Sequence, residues 1–260
     1  MVTIVRMLGK RAIGFIEYAG GMAALLAETL ILAPLKPFRG RHIIEQMNFI
    51  GVNSLPIVSL ISLFIGMVLA LQSAYQMQRM SAEMYIASLV ALSVTREIGP
   101  VLTALIVAGR VGASITAELG TMKVTEQIDA LETLATNPIK YLVVPRFIAL
   151  LIMLPLLTIY ADAIGMFGGY IIGTGKLNIS HEMYLRMTFD PLRLKDILTG
   201  LTKSVSFAIV ICVIACYEGM RTKGGAEGVG RSTTSAVVTS FILIIAADCF
   251  FTALFYFVGK

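Results

Sequence analysis

Long apolar runs separated by short polar stretches set the pattern of this chain. The runs fall at about 50–77, 87–120, 147–173, 197–217 and 234–258. Each is long enough to cross a ~30 Å hydrocarbon layer as a helix. The pattern predicts an all-α integral membrane protein, one domain over 1–260 with about five transmembrane helices. The second run would be roughly 50 Å long at 1.5 Å per residue, so it must tilt, kink or protrude. Pro100 is the predicted kink. A short polar turn is expected around Gln78–Glu83.

Ahead of the first run, Ile4, Leu8, Ala12, Phe15 and Ala19 recur at helical spacing, with Arg6, Lys10 and Glu17 elsewhere. Residues 3–19 therefore read as an amphipathic helix lying in the membrane interface. Gly20-Gly21 is expected to loosen it. Residues 22–35, interrupted by Glu28 and ended by Pro34, read as a re-entrant or interfacial segment, too short for a crossing. Arg6, Lys10 and Arg11 before an apolar stretch imitate a secretory signal. Glu17 and Glu28 interrupt that stretch and no small-residue cleavage site follows, so it is read as retained.

Composition sharpens the class: 57% of residues are hydrophobic and 14% charged, against about 25% charged in soluble domains. The basic excess needs no nucleic acid, because cations flanking membrane spans on the cytoplasmic side produce it. An inside N-terminus puts Arg6, Lys10, Arg11, Lys36, Arg39, Arg41, Lys123, Lys140, Arg146, Arg221, Lys223 and Arg231 in the cytoplasm. Arg79, Lys176, Arg186, Arg193, Lys195 and Lys260 then lie outside. That asymmetry predicts a cytoplasmic N-terminus and an external C-terminus. Cys212, Cys216 and Cys249 lie in apolar runs and read as small apolar residues rather than metal ligands.

Six charges interrupt the apolar runs: Arg96, Glu97, Arg110, Asp162, Lys203 and Asp248. Each costs roughly 2.5–3.5 kcal/mol to insert, so each needs a partner or a polar path. One reading pairs them between helices, for example Arg96 with Asp248 or Lys203 with Glu97. The other places them in a cavity that meets a polar headgroup. Two small-residue stripes, Ala104/Ala108/Gly112/Thr116/Gly120 and Ala161/Gly165/Gly169/Gly173, mark close helix approach within the chain or between subunits.

Residues 121–138 predict a short helix on the inner face, N-capped by Thr125 and ended by Asn137-Pro138. Its face of Val124, Ile128, Leu131 and Ala135, with Glu126, Asp129 and Glu132 beside it, suits docking to a protein better than to an anionic leaflet. GAEGVGRSTT at 225–234 nearly matches a phosphate-binding loop. It has Arg231 in place of lysine and no preceding strand, so it reads as a flexible turn feeding a helix. His42 and His181 lie in different loops, and no hydrolytic constellation is present.

The string SLVALSVTREIGPVLTALIVAGRVGASITAELGTMKVTEQIDAL at 88–131 resembles the MlaE (YrbE) permease family. NPIKYLVVPR at 137–146, AEGVGRSTTSAVVTS at 226–240 and Asp248 in the last run resemble it too. The resemblance implies the membrane subunit of an ABC transporter in the Gram-negative inner membrane, with an N-terminal interfacial helix and five spans, working as a homodimer. It implies a phospholipid substrate bound in a cavity at the dimer centre, and a role in outer-membrane lipid asymmetry. The implied partners are a cytoplasmic ATPase holding ATP and Mg, a STAS-domain protein and a hexameric periplasmic MCE-domain protein. This chain itself would hold no metal or cofactor and catalyse nothing. Arg96, Glu97, Lys203 and Asp248 match the family's intramembrane charged positions, and Glu126, Ile128, Asp129, Leu131 and Glu132 fall on its ATPase-coupling helix. A proton-coupled secondary transporter of an amphipathic solute, relayed by Asp162 and Asp248, is the alternative reading of the same acids.

Overall fold

A computed structural model describes residues 2–35, 40–78 and 82–258. Among these residues every regular element is helical. The elements are α1 (Val2–Leu32), α2 (Gly40–Ile50) and α3 (Leu55–Gln78). The chain continues as α4 (Glu83–Val124), α5 (Gln127–Thr133) and α6 (Ile139–Gly175). It ends with α7 (His181–Phe189), α8 (Leu194–Met220) and α9 (Gly225–Val258). Helices α3, α4, α6, α8 and α9 are the five long and apolar enough to cross a membrane.

The N-terminal segment departs from expectation. α1 runs unbroken through Gly20-Gly21. A Cβ on Gly21 would lie 2.1 Å from the Tyr217 hydroxyl, so this glycine serves close approach rather than a break. The side chains of Ile4, Leu8, Ala12 and Phe15 lie outside the described residues, as do Lys36, Arg39, Arg79 and Lys260. Tyr18 anchors α1 instead. Its hydroxyl donates to Glu218 Oε1 at 2.6 Å, and its ring meets that of Tyr217 edge-on. Burial, and then the Glu218 carboxylate, hold this phenol well above its usual range.

α4 absorbs Pro100 without ending. Val94–Ile98 forms a wide π turn just before Gly99-Pro100, and a second such turn spans Ala108–Gly112. Proline lacks the N–H that the carbonyl four residues earlier would use, and its ring needs room. A π turn supplies that room while keeping the helix continuous.

Small residues set the helix contacts within the chain. A Cβ on Gly66 of α3 would fall 1.9 Å from the Gly165 carbonyl oxygen of α6, so only glycine allows this backbone contact. Gly173 faces the Tyr184 ring of α7 in the same way. The stripes read from the sequence are thus used inside the chain, where van der Waals packing holds membrane helices together. The main core joins α4, α6 and α8 through Val107, Ile115, Leu150, Leu154, Phe207 and Ile211.

One further segment differs from expectation. GAEGVGRSTT is the first part of α9 itself, helical from Gly225, rather than a flexible turn. Between α6 and α8 lies α7, capped by Ser180 and held by buried Tyr184.

Candidate charged site

At the end of the bundle where α7 lies, three spans meet around one buried ammonium group. Lys203 of α8 is fully buried. Its Nζ donates to Glu97 Oε2 of α4 at 2.5 Å and to Thr252 Oγ1 of α9 at 2.7 Å. Asp248 Oδ1 of α9 lies 2.8 Å away as an ion pair. An ammonium has three donors, and three partners surround it. Thr252 in turn donates to the Glu97 carboxylate. Two carboxylates on one cation leave a local excess of negative charge.

Arg96 completes the neighbourhood with a different partner from the one expected. It does not pair with Asp248. Its Nε donates to Asp196 Oδ1 at 2.7 Å, and its Nη2 reaches the same oxygen. The reason is rotation: adjacent residues on a helix point about 100° apart, so Arg96 and Glu97 face different neighbours. Asp196 is buried at the start of α8, where its other oxygen accepts from the Arg193 N–H at 2.9 Å. It therefore caps a helix and holds a cation at once.

Above this floor opens a cavity of about 390 Å³ lined by Arg96, Glu97, Arg193, Lys195, Thr252 and Tyr256, among others. The lining carries Arg96, Arg193 and Lys195 with Glu97 and Asp196, and Lys203 sits behind it, paired to Glu97 and Asp248. Phe255 and Tyr256 add apolar wall. The cavity accommodates a charged head with an apolar continuation.

The other buried charges lie elsewhere. Arg110, in the second π turn, donates to the Phe49 carbonyl at 2.6 Å and to Ser54 Oγ at 2.8 Å. It thus closes the C-terminal end of α2, where a cation complements the helix dipole. Asp162 packs beside Gly99 in α4, and its Oδ1 has no hydrogen-bond partner among the described residues. No described contact joins it to Asp248. Arg146, counted as a loop cation from the sequence, is buried and pairs with Glu118 at 2.8 Å. The three cysteines are free, and the described residues include no metal-ligand cluster.

At the opposite end of the bundle, the helix read at 121–138 is α5, only Gln127–Thr133. Thr125 does not cap it, because its hydroxyl donates back to the Thr121 carbonyl in the preceding helix. Glu126 occupies the cap position with φ of 60°. Asn137 caps the next helix, accepting from the N–H groups of Ile139 and Lys140. Ile128 is buried in the protein's own core and Leu131 packs against it. Glu126, Asp129 and Glu132 are exposed, with Asp129 held by Lys123 at 2.7 Å. Leu134 is an apolar side chain turned outward at this end, 74% exposed.

The family model for Permease MlaE matches residues 43–254. The chain belongs to the MlaE permease family. A probable ABC transporter permease of Rickettsia typhi is 49% identical over 258 residues, 98% of this chain and 99% of that one. A probable ABC transporter permease of Synechocystis is 44% identical over 216 residues, 83% and 82% of the two chains. The intermembrane phospholipid transport system permease protein MlaE of Haemophilus influenzae is 37% identical over the full length of both. The protein is thus a multi-pass membrane permease of the ABC type, and the charged site belongs to an MlaE-type bundle.

Proposed function

We propose that this chain is the membrane subunit of an ATP-driven phospholipid transporter of the inner membrane, working as a homodimer. The observation that carries the reading is a cavity beside the Lys203 cluster whose lining joins Arg96 and Arg193 to Phe255 and Tyr256, which suits a polar head with an apolar continuation. A phospholipid has that chemistry, and charges inside a membrane bundle mark substrate paths. The relative from Haemophilus influenzae is named for intermembrane phospholipid transport.

In this reading a cytoplasmic ATPase carrying ATP and Mg docks on the α5 end. The exposed acids Glu126, Asp129 and Glu132 with Leu134 form the contact, while Ile128 and Leu131 root α5 in the core. A STAS-domain protein would join the ATPase. A hexameric MCE-domain protein in the periplasm would receive or deliver lipid at the charged end, and the exchange would maintain outer-membrane lipid asymmetry. The N-terminus is then cytoplasmic and the C-terminus periplasmic.

The deciding experiment isolates the complex from its native membrane and identifies co-eluting subunits and lipids by mass spectrometry. Phospholipid together with an ATPase is the expected result. Reconstituted transport that persists without ATP and collapses with the proton gradient would overturn it.

A further inference from the structure

A second cavity, of about 410 Å³, lies between α6 and α7 at the same end of the molecule as the charged site. Met166 and Phe167 of α6 form one wall, and Tyr184, Leu185 and Phe189 of α7 form the other. We propose that this groove seats one acyl chain of a phospholipid from the leaflet at that end, with its headgroup at the Tyr170–His181 pair.

Three observations carry the proposal. First, the polar side-chain atoms of the lining are paired or, for the Tyr184 hydroxyl, buried away from the groove. Tyr170 Oη and His181 Nδ1 share a hydrogen bond of 2.7 Å, and Thr188 Oγ1 donates to the Tyr184 carbonyl. The Tyr184 hydroxyl lies toward Gly169, against α6. The groove interior therefore asks for no hydrogen bond, which suits a hydrocarbon chain and disfavours a peptide backbone. Second, the groove continues a surface that meets hydrocarbon. Ile152, Leu156, Ile159, Ala163, Phe167 and Ile171 are all exposed and follow one another at helical spacing along the α6 span. An acyl chain lying along this stripe runs into the groove. Third, the polar groups sit at the rim. The Tyr170–His181 pair leaves the second ring nitrogen of His181 for a phosphate or glycerol oxygen. An amphipath with one polar end matches that order. The proposal needs no ATPase and no transport, so it stands or falls apart from the permease reading.

The test uses the full chain in vesicles of phosphatidylethanolamine and phosphatidylglycerol. A trace of phospholipid carries a diazirine on one acyl chain close to its glycerol ester, and adducts are mapped by mass spectrometry. Labelling of Met166, Phe167, Leu185 and Phe189 should exceed that of the exposed α3 residues Leu60, Phe64 and Val68 by roughly fivefold. Leu185→Trp fills the groove and should remove the excess while α3 labelling stays the same. Ala163→Trp, from the α6 side, should do likewise and serves if Leu185→Trp misfolds. Equal labelling of groove and α3, an excess that survives both substitutions, or labelling by a diazirine fatty acid but not by the phospholipid would overturn the proposal.

Discussion

Lys203 shows how one residue organises the charged site. Its ammonium group is fully enclosed and holds carboxylates from two other spans. Lys203→Met would strand Glu97 and Asp248 beside each other. A stranded buried charge costs about 3–5 kcal/mol, and the partial exposure of Glu97 puts the expected loss near the lower figure. Thermal unfolding in detergent measures it. Asp248→Asn keeps the Glu97 and Thr252 contacts, so the fold should survive. Lipid transfer into acceptor vesicles should fall roughly tenfold, the kinetic equivalent of about 1.4 kcal/mol. Tyr184 offers the opposite case. Its buried hydroxyl has no partner among the described residues, so Tyr184→Phe should be neutral or stabilising by about 1 kcal/mol. Burial pushes this phenol up to about 12. A folded-state value above the unfolded one gives stability that is complete below pH ~10 and lost as pH rises toward 12. Alkaline melting curves should show that loss in the wild type and less of it in Tyr184→Phe.

Among the elements, α3 and α6 meet backbone to backbone with little slack. Gly66→Ala would drive a methyl group into the Gly165 carbonyl, and overpacking of this kind costs about 1–3 kcal/mol. Gly230→Ala on α9 meets nothing within 4 Å and should stabilise its helix by about 0.5–1 kcal/mol. Melting the two variants together separates close approach from propensity. At α5, the double substitution Glu126→Lys with Asp129→Lys reverses the charge of the exposed acidic side. The partner ATPase should then fail to co-purify although the bundle stays folded. Undiminished recovery would refute the docking role. These elements also show what the sequence revealed. Lys203 and Glu97 were readable as partners because opposite charges in neighbouring spans need one another. Asp196 was missed because it lies where the polar 174–196 stretch becomes a span. Its position three residues after Arg193, at the head of an apolar run, was the available signal. The π turns left no such signal, since apolar periodicity continues across them. Gly20-Gly21 misled because a glycine pair can mark a break or a close contact, and only the facing Tyr217 distinguishes the two.

For the whole molecule, the five spans were legible because the bilayer demands long apolar helices whatever their packing. Their neighbours were not, since stripes of small residues do not name a partner. α9 is the least covered span, yet it carries Asp248 into the charged site. Val238, Ile242 and Ile245 are exposed along it at helical spacing. If a second copy covers this row in the proposed homodimer, Ile242→Glu should yield monomers by native mass spectrometry while the wild type gives dimers. The two wide turns of α4 bear on how such a bundle tolerates sequence change. Each holds one residue more than an ordinary turn. Deleting a residue from Val94–Ile98 would restore regular winding yet swing everything downstream through about 100°. Arg110 would then leave the end of α2, and the stripe from Ala104 to Gly120 would turn away from α8. A shortened α4 would therefore be a perfectly good helix in the wrong phase, and homologous chains should change length in their loops rather than there.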